Sequence, residues 1–594
     1  MVPQVPEVGN LTWHAPPGER VARTARAHYV AGPLRSPGRA PDTMPKSGDV
    51  IVKRFIIVSA VALVGCASES TDTTIPEISG DMIREHMQRL ASDEFMGRGP
   101  GSDGGRRAAE YVASQFEAAG LQPVDGSYFQ DVRLIGTTPQ PSEIELVFSR
   151  DGTSVSPDYL DDFVLWSGEP ESEMVEGSAE LVFVGYGVSA PEADWDDFGI
   201  DVAGKVVLIL VNDPPAPPGE PDLFGGRAMT YYGRWTYKYE ESARQGALGA
   251  FVVHTTEAAG YPWSVVRGGW SGEQMALPPA PDANPVPLQG WLSYETASSV
   301  LALASLDLDE LMAQAASRDF EPVATGIQVH ARVTNTIRVV ETQNVVGLLP
   351  GSSRPDEVIT LTSHYDHFGI GERVDGDSIY NGAYDNASGT ALLISLASAT
   401  AALTEAPPRS LLFIATAAEE QGLLGSAWYV QSPLFPLANT VAEINMDGAN
   451  LWGETDDMIA QGAERSGLGR YVEARAAEAG LTLMPDAEPE KGFFFRSDHF
   501  PFARAGVPSL YIEHGRQYRG KPDGWGMEVA ANYTANQYHA PSDEFSDDFV
   551  FSGAVQQGWL FLATALDIAR DDTWPIWLED SEFRAARDAM RPGG

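Results

Sequence analysis

From Gln343 to the C-terminus, short and almost wholly apolar runs alternate with longer stretches of helical composition. Val358–Thr362, Leu411–Ala415, Val441–Met446 and Ser509–Ile512 lack the in-out alternation of a half-exposed strand. Such runs mark strands covered on both faces, as in a parallel sheet. Between them, Ala387–Leu403 and Gly467–Ala479 have the length and composition of helices, and Gly553–Ala569 predicts another near the end. Strand then helix, repeated, predicts an α/β fold: a mostly parallel, mixed sheet with helices on both faces.

Upstream the pattern changes twice. Met82, Ile83, His86, Met87 and Leu90 repeat at helical spacing. Ala108, Tyr111, Val112, Phe116 and Leu121 mark a second amphipathic helix, closed by Gly120. The Gly-rich link between them, Gly97-Arg98-Gly99-Pro100-Gly101, does not follow a strand as a phosphate-cradling loop would, so it reads as a turn. From about 160 to 330, β-branched runs (Ala179–Val184, Lys205–Val211, Gly249–Val253) alternate with Pro- and Gly-rich connections such as Pro214–Pro221. That predicts a separate β-rich domain set between residues 78–159 and 331–594. A chain of 594 residues is too long for one compact core, which agrees with this division.

The N-terminal region predicts export. Lys53-Arg54 precede the apolar stretch Phe55–Gly65, which is too short to span a bilayer, and Cys66 follows. Cys66 is the only cysteine, so intramolecular disulfides are excluded. Leu63-Val64-Gly65-Cys66 resembles the lipobox of bacterial lipoproteins. The resemblance implies lipidation of Cys66 as the mature N-terminus, a signal peptide Met44–Gly65, and a polar tether over 66–77. Residues 1–43, Pro- and Arg-rich without apolar periodicity, are then an extension preceding the true start at Met44, so 1–65 stand outside the fold. The alternative is an ordinary apolar segment with a buried cysteine. Ala67 after the cysteine, where Asp would stand for inner-membrane retention, points to the outer membrane. The expected location is the bacterial cell envelope, on the periplasmic side, held by the lipid. With 40 basic against 83 acidic residues, a nucleic-acid partner is excluded, because that binding needs basic patches.

Metal-binding residue types gather where the C-terminal apolar runs end. His364 follows the first run by two residues, Glu419-Glu420 follow Leu411–Ala418, and Asp447 closes Val441–Met446. Asp385 sits in a Gly/Asn loop before a helix, and His539 in a polar loop near the end. Ligands collect beyond the carboxyl ends of strands in open α/β sheets. Singly, each of these residues reads as a cap or surface group; together they do not. Two His and three carboxylates suit Zn²⁺, and one carboxylate can bridge two ions, so the expectation is two zincs and a water-activating hydrolase. Adjacent Glu419 and Glu420 point different ways, so one can bind metal while the other serves as general base. Asp366 is placed to orient His364 by accepting its second ring N–H, or else makes a loop turn. His367 reads as a locally satisfied residue and not a third imidazole ligand.

Five motifs carry a family resemblance. Ser-His-Tyr-Asp-His (363–367), Gly-Ala-Tyr-Asp-Asn-Ala-Ser-Gly (382–389), Ala-Glu-Glu-Gln-Gly-Leu-Leu-Gly-Ser (418–426), Asn-Met-Asp (445–447) and Tyr-His-Ala-Pro-Ser-Asp (538–543) resemble the bi-zinc aminopeptidase and glutamate carboxypeptidase II family. The resemblance covers the chain from about Ile78 onward and likens 160–330 to the protease-associated domain of many members. It implies Asp385 bridging two zincs, His364 and Asp447 completing one, and Glu420 and His539 the other. It further implies Glu419 as general base, Asp366 as partner of His364, a cis Asp385–Asn386 peptide, and Tyr538 as either an oxyanion donor or a packing aromatic.

The substrate expected is a peptide, cut at its N-terminal end. A carboxypeptidase or dipeptidase, a receptor-like relative without activity, and a one-zinc glutaminyl cyclase are the alternatives. Arg496 and Asp498 are candidate anchors for a peptide terminus. The aromatic run Tyr231–Tyr237 either overhangs the site or packs at a domain boundary.

Overall fold

The computed structural model describes residues 75–217, 219–280, 283–579 and 581–591. Cys66 and the rest of the expected signal and lipobox lie outside them. Among the described residues no helix is long and apolar enough to cross a membrane.

The four apolar runs become four neighbouring parallel strands, in the order Arg409–Thr416, Arg354–His364, Thr440–Asn445, Ser509–His514. Asp457–Gln461 joins antiparallel to the last of these and carries the short edge strand Thr482–Met484. All eight residues of Arg409–Thr416 are buried. Leu411, Phe413 and Ala415 face one core, while Leu412 and Ile414 face the other. The first face is covered by the helices Gly80–Leu90, Asp103–Ala118, Gly389–Thr400 and Ser552–Arg570. The second is covered by Tyr429 and Phe502, from the helices Leu424–Gln431 and His499–Arg504. This is the predicted α/β architecture: a mixed sheet between two helical layers.

The β-rich segment builds the other half of the same sheet. Met174–Phe183, Val206–Leu210, Gly249–His254 and Leu288–Ser293 run parallel in that order, with Phe163–Ser167 antiparallel at the edge. Two apolar clusters line its faces. The expected limits at 160 and 330 do not coincide with the ends of this strand pairing. Glu145–Arg150 and Thr153–Val155, upstream of residue 160, already pair within this sheet. The boundary expected at 330 falls inside one unbroken 27-residue strand, Val323–Leu349. Its first part pairs with Met174–Phe183, its middle with Phe129–Pro139, and its end with Arg409–Thr416. Buried and exposed residues alternate along its first part, and sequence composition blurred this continuity because the polar outward positions resemble a loop.

Candidate metal centre

The four parallel strands end on one side of the sheet, and the predicted residues meet there. His364 is the last residue of its strand, level with Thr416 of the neighbour. Beyond Thr416, Ala418 takes a left-handed conformation (φ 56°), a turn that sends Glu419 and Glu420 to different sides. Asp447 follows the end of Thr440–Asn445 by two residues. Asp385 lies in the tight turn before the helix Gly389–Thr400, and the Asp385–Asn386 peptide is cis. Gly382 opens that turn at φ 50°, where a Cβ would press on the His367 ring and the Asp385 carbonyl.

The Asp385 carboxylate stands between two imidazoles. His364 Nε2 is 3.3 Å from its Oδ1, and His539 Nε2 is 3.5 Å from its Oδ2. On the first side, His364 Nε2 also lies 3.2 Å from Asp447 Oδ1 and 3.9 Å from Glu419 Oε2. On the second, His539 Nε2 lies 3.1 Å from Glu420 Oε2. Donor atoms of His364, Asp385 and Glu420 all fall within 4.8 Å of one another, as do those of His364, Glu419 and Asp447. All five ligand candidates and Glu419 are therefore brought together.

The electrostatics of the cluster call for cations. Asp385, Glu419, Glu420 and Asp447 converge, and among the described residues no Lys or Arg forms an ion pair with any of them. Burial alone would lower the His364 pKa, yet Glu419 and Asp447, with hydrogen bonds to Asp385 and Asp447, raise it well above its ordinary value. His539 is likewise pushed up to about 10, Glu420 and Asp385 overcoming its burial. Four carboxylates forcing two imidazoles toward the cationic form is a donor set short of positive charge. Imidazole nitrogen and carboxylate oxygen are ligand types for Zn²⁺, so the residues fit that ion. Glu419 is raised well above the carboxylate range by burial, with His364 opposing and Asp447 reinforcing.

Several surrounding residues hold the cluster, and only some were expected. Asp366 is fully buried but its carboxylate does not take the His364 ring N–H as expected: Nδ1 sits 3.3 Å from the Asp366 carbonyl oxygen and 3.8 Å from Oδ1. Asp366 Oδ1 instead accepts the Glu419 backbone N–H at 3.1 Å, so it orients both His364 and Glu419. His367 is not locally satisfied. Its Nδ1 hydrogen-bonds Glu420 Oε1 and its Nε2 is buried without a partner. Asn386 ties three loops: its amide donates to Ser363 Oγ and the Met446 carbonyl, and its Oδ1 accepts from Gly389 and Gly448 N–H. Asp543 accepts the N–H groups of Tyr384 and Asp385 and the Tyr533 hydroxyl, fixing the ligand turn. Sequence reasoning gave no role to Asn386 or Asp543, although both stand inside motifs it singled out.

Tyr538 stacks on His539 with ring centroids 3.8 Å apart, and no hydrogen bond from its hydroxyl occurs among the described residues. Asp498 is committed elsewhere, accepting from Thr416 and Ser426 hydroxyls, and is fully buried. The Tyr231–Tyr237 run packs: Tyr231 lies against Phe495 and Phe500, while Tyr232 and Tyr237 join a cluster in the inserted segment. The inserted segment reaches the ligand loops through Met275 N–H to Gln421 Oε1 (3.1 Å) and Arg496 Nη2 to the Ala259 carbonyl (2.9 Å).

With the geometry in view, comparison places the site in a known class. Residues 344–556 match the model of Peptidase family M28. Among curated relatives, aminopeptidase YwaD of Bacillus subtilis is 26% identical over 252 residues, covering 41% of this chain and 49% of the relative. The aminopeptidase NAALADL1 of Mus musculus is 33% identical over 136 residues, 22% of this chain and 17% of its own. A probable zinc metalloprotease of Pyricularia oryzae is 33% identical over 158 residues, 25% of this chain and 31% of its own. The chain thus spans less than half the length of these relatives. Among solved structures, an aminopeptidase from Aneurinibacillus sp. strain AM-1 aligns with 84% of this chain and 96% of its own, at TM-score 0.49 and 19% identity.

Proposed function

We propose that this protein is a zinc-dependent exopeptidase, in the first instance an aminopeptidase that removes N-terminal residues from peptides. The observation that carries this reading is the Asp385 carboxylate flanked on opposite oxygens by His364 and His539. One zinc would be held by His364, Asp447 and Asp385, the other by Glu420, His539 and Asp385. When bound, the two ions supply a water acidified toward neutrality and a Lewis acid for the scissile carbonyl.

The chain's own residues supply the rest. Glu419, buried beside the ligands and held through its N–H by Asp366, accepts the proton of the attacking water and returns it to the leaving amine. A carboxyl pushed upward by burial is suited to both tasks near neutral pH. The Tyr538 hydroxyl, uncommitted within the fold, donates to the oxygen that gains charge as the carbonyl is attacked. Residues 160–330 are a protease-associated domain in this reading, walling one side of the cleft and limiting access to chain ends. Lipidation at Cys66 holds the enzyme on the periplasmic side of the outer membrane, and Cys66→Ser should release it into the soluble fraction.

A specific observation favours a second, carboxylate-reading activity of the glutamate carboxypeptidase kind. Arg234 and Arg496 each bury an Nε without a hydrogen-bond partner, and neither has a carboxylate within 4.0 Å among the described residues. One experiment tests these readings. Metal-stripped protein reloaded with zinc is assayed for metal content and then with peptides blocked or free at either end. Near two zincs with cleavage only of free-amine peptides supports the aminopeptidase. Cleavage that instead requires a free C-terminal carboxylate supports the second reading. One zinc per chain indicates cyclase chemistry, and none a receptor-like protein.

A further inference from the structure

The Gly-rich link that reads as a plain turn in the sequence carries a fully buried cation. Arg98 is 0% exposed and forms no ion pair among the described residues. Its guanidinium instead donates to four carbonyls. Nε reaches the Tyr365 oxygen (2.7 Å), Nη1 reaches Leu90 (2.8 Å) and Asn381 (2.6 Å), and Nη2 reaches Gly382 (2.8 Å). Tyr365 stands between His364 and Asp366. Asn381 and Gly382 open the turn that delivers Asp385. One planar fork therefore joins the backbones of the two loops that present His364 and Asp385, and ties both to the end of the helix Gly80–Leu90.

The local backbone is shaped to bring it there. Met96, Gly97 and Arg98 adopt φ of 50°, 68° and 53°, three consecutive left-handed residues, two of which carry side chains. Strain of this kind persists where surroundings over-determine it. Those surroundings are visible: a Cβ on Gly97 would collide with the carbonyls of Gly369 and Tyr380, and one on Gly104 with the carbonyl of Phe95. A buried guanidinium without a counter-ion is costly, and a lysine ammonium at the same place has only three donors and no planar fork. The acids that act on Arg98 through space are Asp366, Asp543, Asp385 and Glu420, all of the metal centre or its supports. The cation is shielded from solvent and lies against the backbones of the loops that present His364 and Asp385.

We infer that Arg98 is a positioning residue for the metal centre: by clamping the Tyr365 and Asn381-Gly382 carbonyls it fixes the separation of His364 and Asp385, and so sets metal affinity. This rests on the two-metal reading above. It extends that reading to a residue some 270 positions upstream of the first ligand, which touches neither metal nor substrate.

The test measures zinc affinity of metal-stripped protein by competition with a chromophoric chelator, for the wild type, Arg98→Lys and Arg98→Met. Supports of a ligand shell change affinity by roughly 10–100-fold. Both variants should lose affinity on that scale while circular dichroism stays native. Arg98→Lys keeps the charge and loses the fork, so a folded Arg98→Lys with wild-type affinity would overturn the clamp. Hydrogen exchange of residues 95–101 in the wild type, with and without zinc, covers the case in which the variants do not fold. Coupling is reciprocal, so zinc must slow exchange in that segment if the clamp sets affinity. Exchange indifferent to zinc refutes the proposal. A wild-type chain that takes up no zinc refutes the metal reading instead, before any variant is compared.

Discussion

The two halves of the sheet share a plan and differ in how they balance buried charge. Each has four adjacent parallel strands, and both hang on the same long strand Val323–Leu349. In the inserted half, the buried Lys238 donates to the Tyr186 and Asn212 carbonyls and lies near Asp213 and Asp197. Those acids are also satisfied, Asp213 by Thr230 and Asp197 by Val188 and Trp195. Burial draws the Lys238 pKa down to about 8 and the two aspartates up to about 7, so the trio comes near to settling its own charge. At the ends of the other four strands, four carboxylates converge on the imidazoles of His364, His367 and His539, with no Lys or Arg ion-paired to them among the described residues. One set of buried charges is closed on itself; the other is left open to an external cation. The lesson is that α/β strand ends become a site through charge imbalance, and not through the presence of buried ionisable groups.

The sharpest way to break this comparison is to disable the open half without disturbing its ligands. Glu419→Gln should retain zinc and lose about 10²–10⁴-fold in kcat, the scale of general-base catalysis. Turnover near that of the wild type would remove Glu419 from proton transfer. In the closed half, Lys238→Met removes the buried donor to the Tyr186 and Asn212 carbonyls and the cation near Asp197 and Asp213. It should cost about 1–3 kcal/mol of stability in denaturant unfolding, the scale of leaving buried acceptors without their donor. Zinc affinity of the folded fraction should be unchanged; a matching loss of zinc would show that the halves are not independent.

Asp543→Asn tests the support of the ligand turn. Zinc affinity should fall about 10–100-fold with little change in unfolding midpoint. The last test concerns pH. His499 is fully buried, and burial pushes its pKa from 6.5 down to about 3. As pH falls below 6.5 the unfolded chain takes up this proton first. The contribution is therefore whole above about pH 6.5 and is lost progressively toward pH 3, at up to about 1.4 kcal/mol per pH unit. His499→Phe should shallow the acid limb of the stability profile, and an unchanged limb would count against a neutral buried imidazole.

Much of the half that carries the ligand candidates was legible because its signal is local. Four apolar runs gave four strands, and chemistry at their ends gave His364, Glu419, Glu420 and Asp447. The supports were less legible because their work is done by contacts between distant segments. Arg98 meets carbonyls more than 260 residues away, and Asp543 meets N–H groups 158 and 159 positions upstream. A carbonyl acceptor is the same at every residue, so no pattern in the chain announces it. Asp366 shows the intermediate case: its proximity to His364 was readable, but the choice between its carboxylate and its carbonyl was not.

The strand Val323–Leu349 also has a mechanical meaning. It is paired along almost its whole length, first with Met174–Phe183, then with Phe129–Pro139, then with Arg409–Thr416. A ribbon gripped in this way behaves as a torsion bar, lacking the free joint about which a lid could swing. Displacing the inserted half from the ligand loops must twist that bar or tear rungs from its ladder.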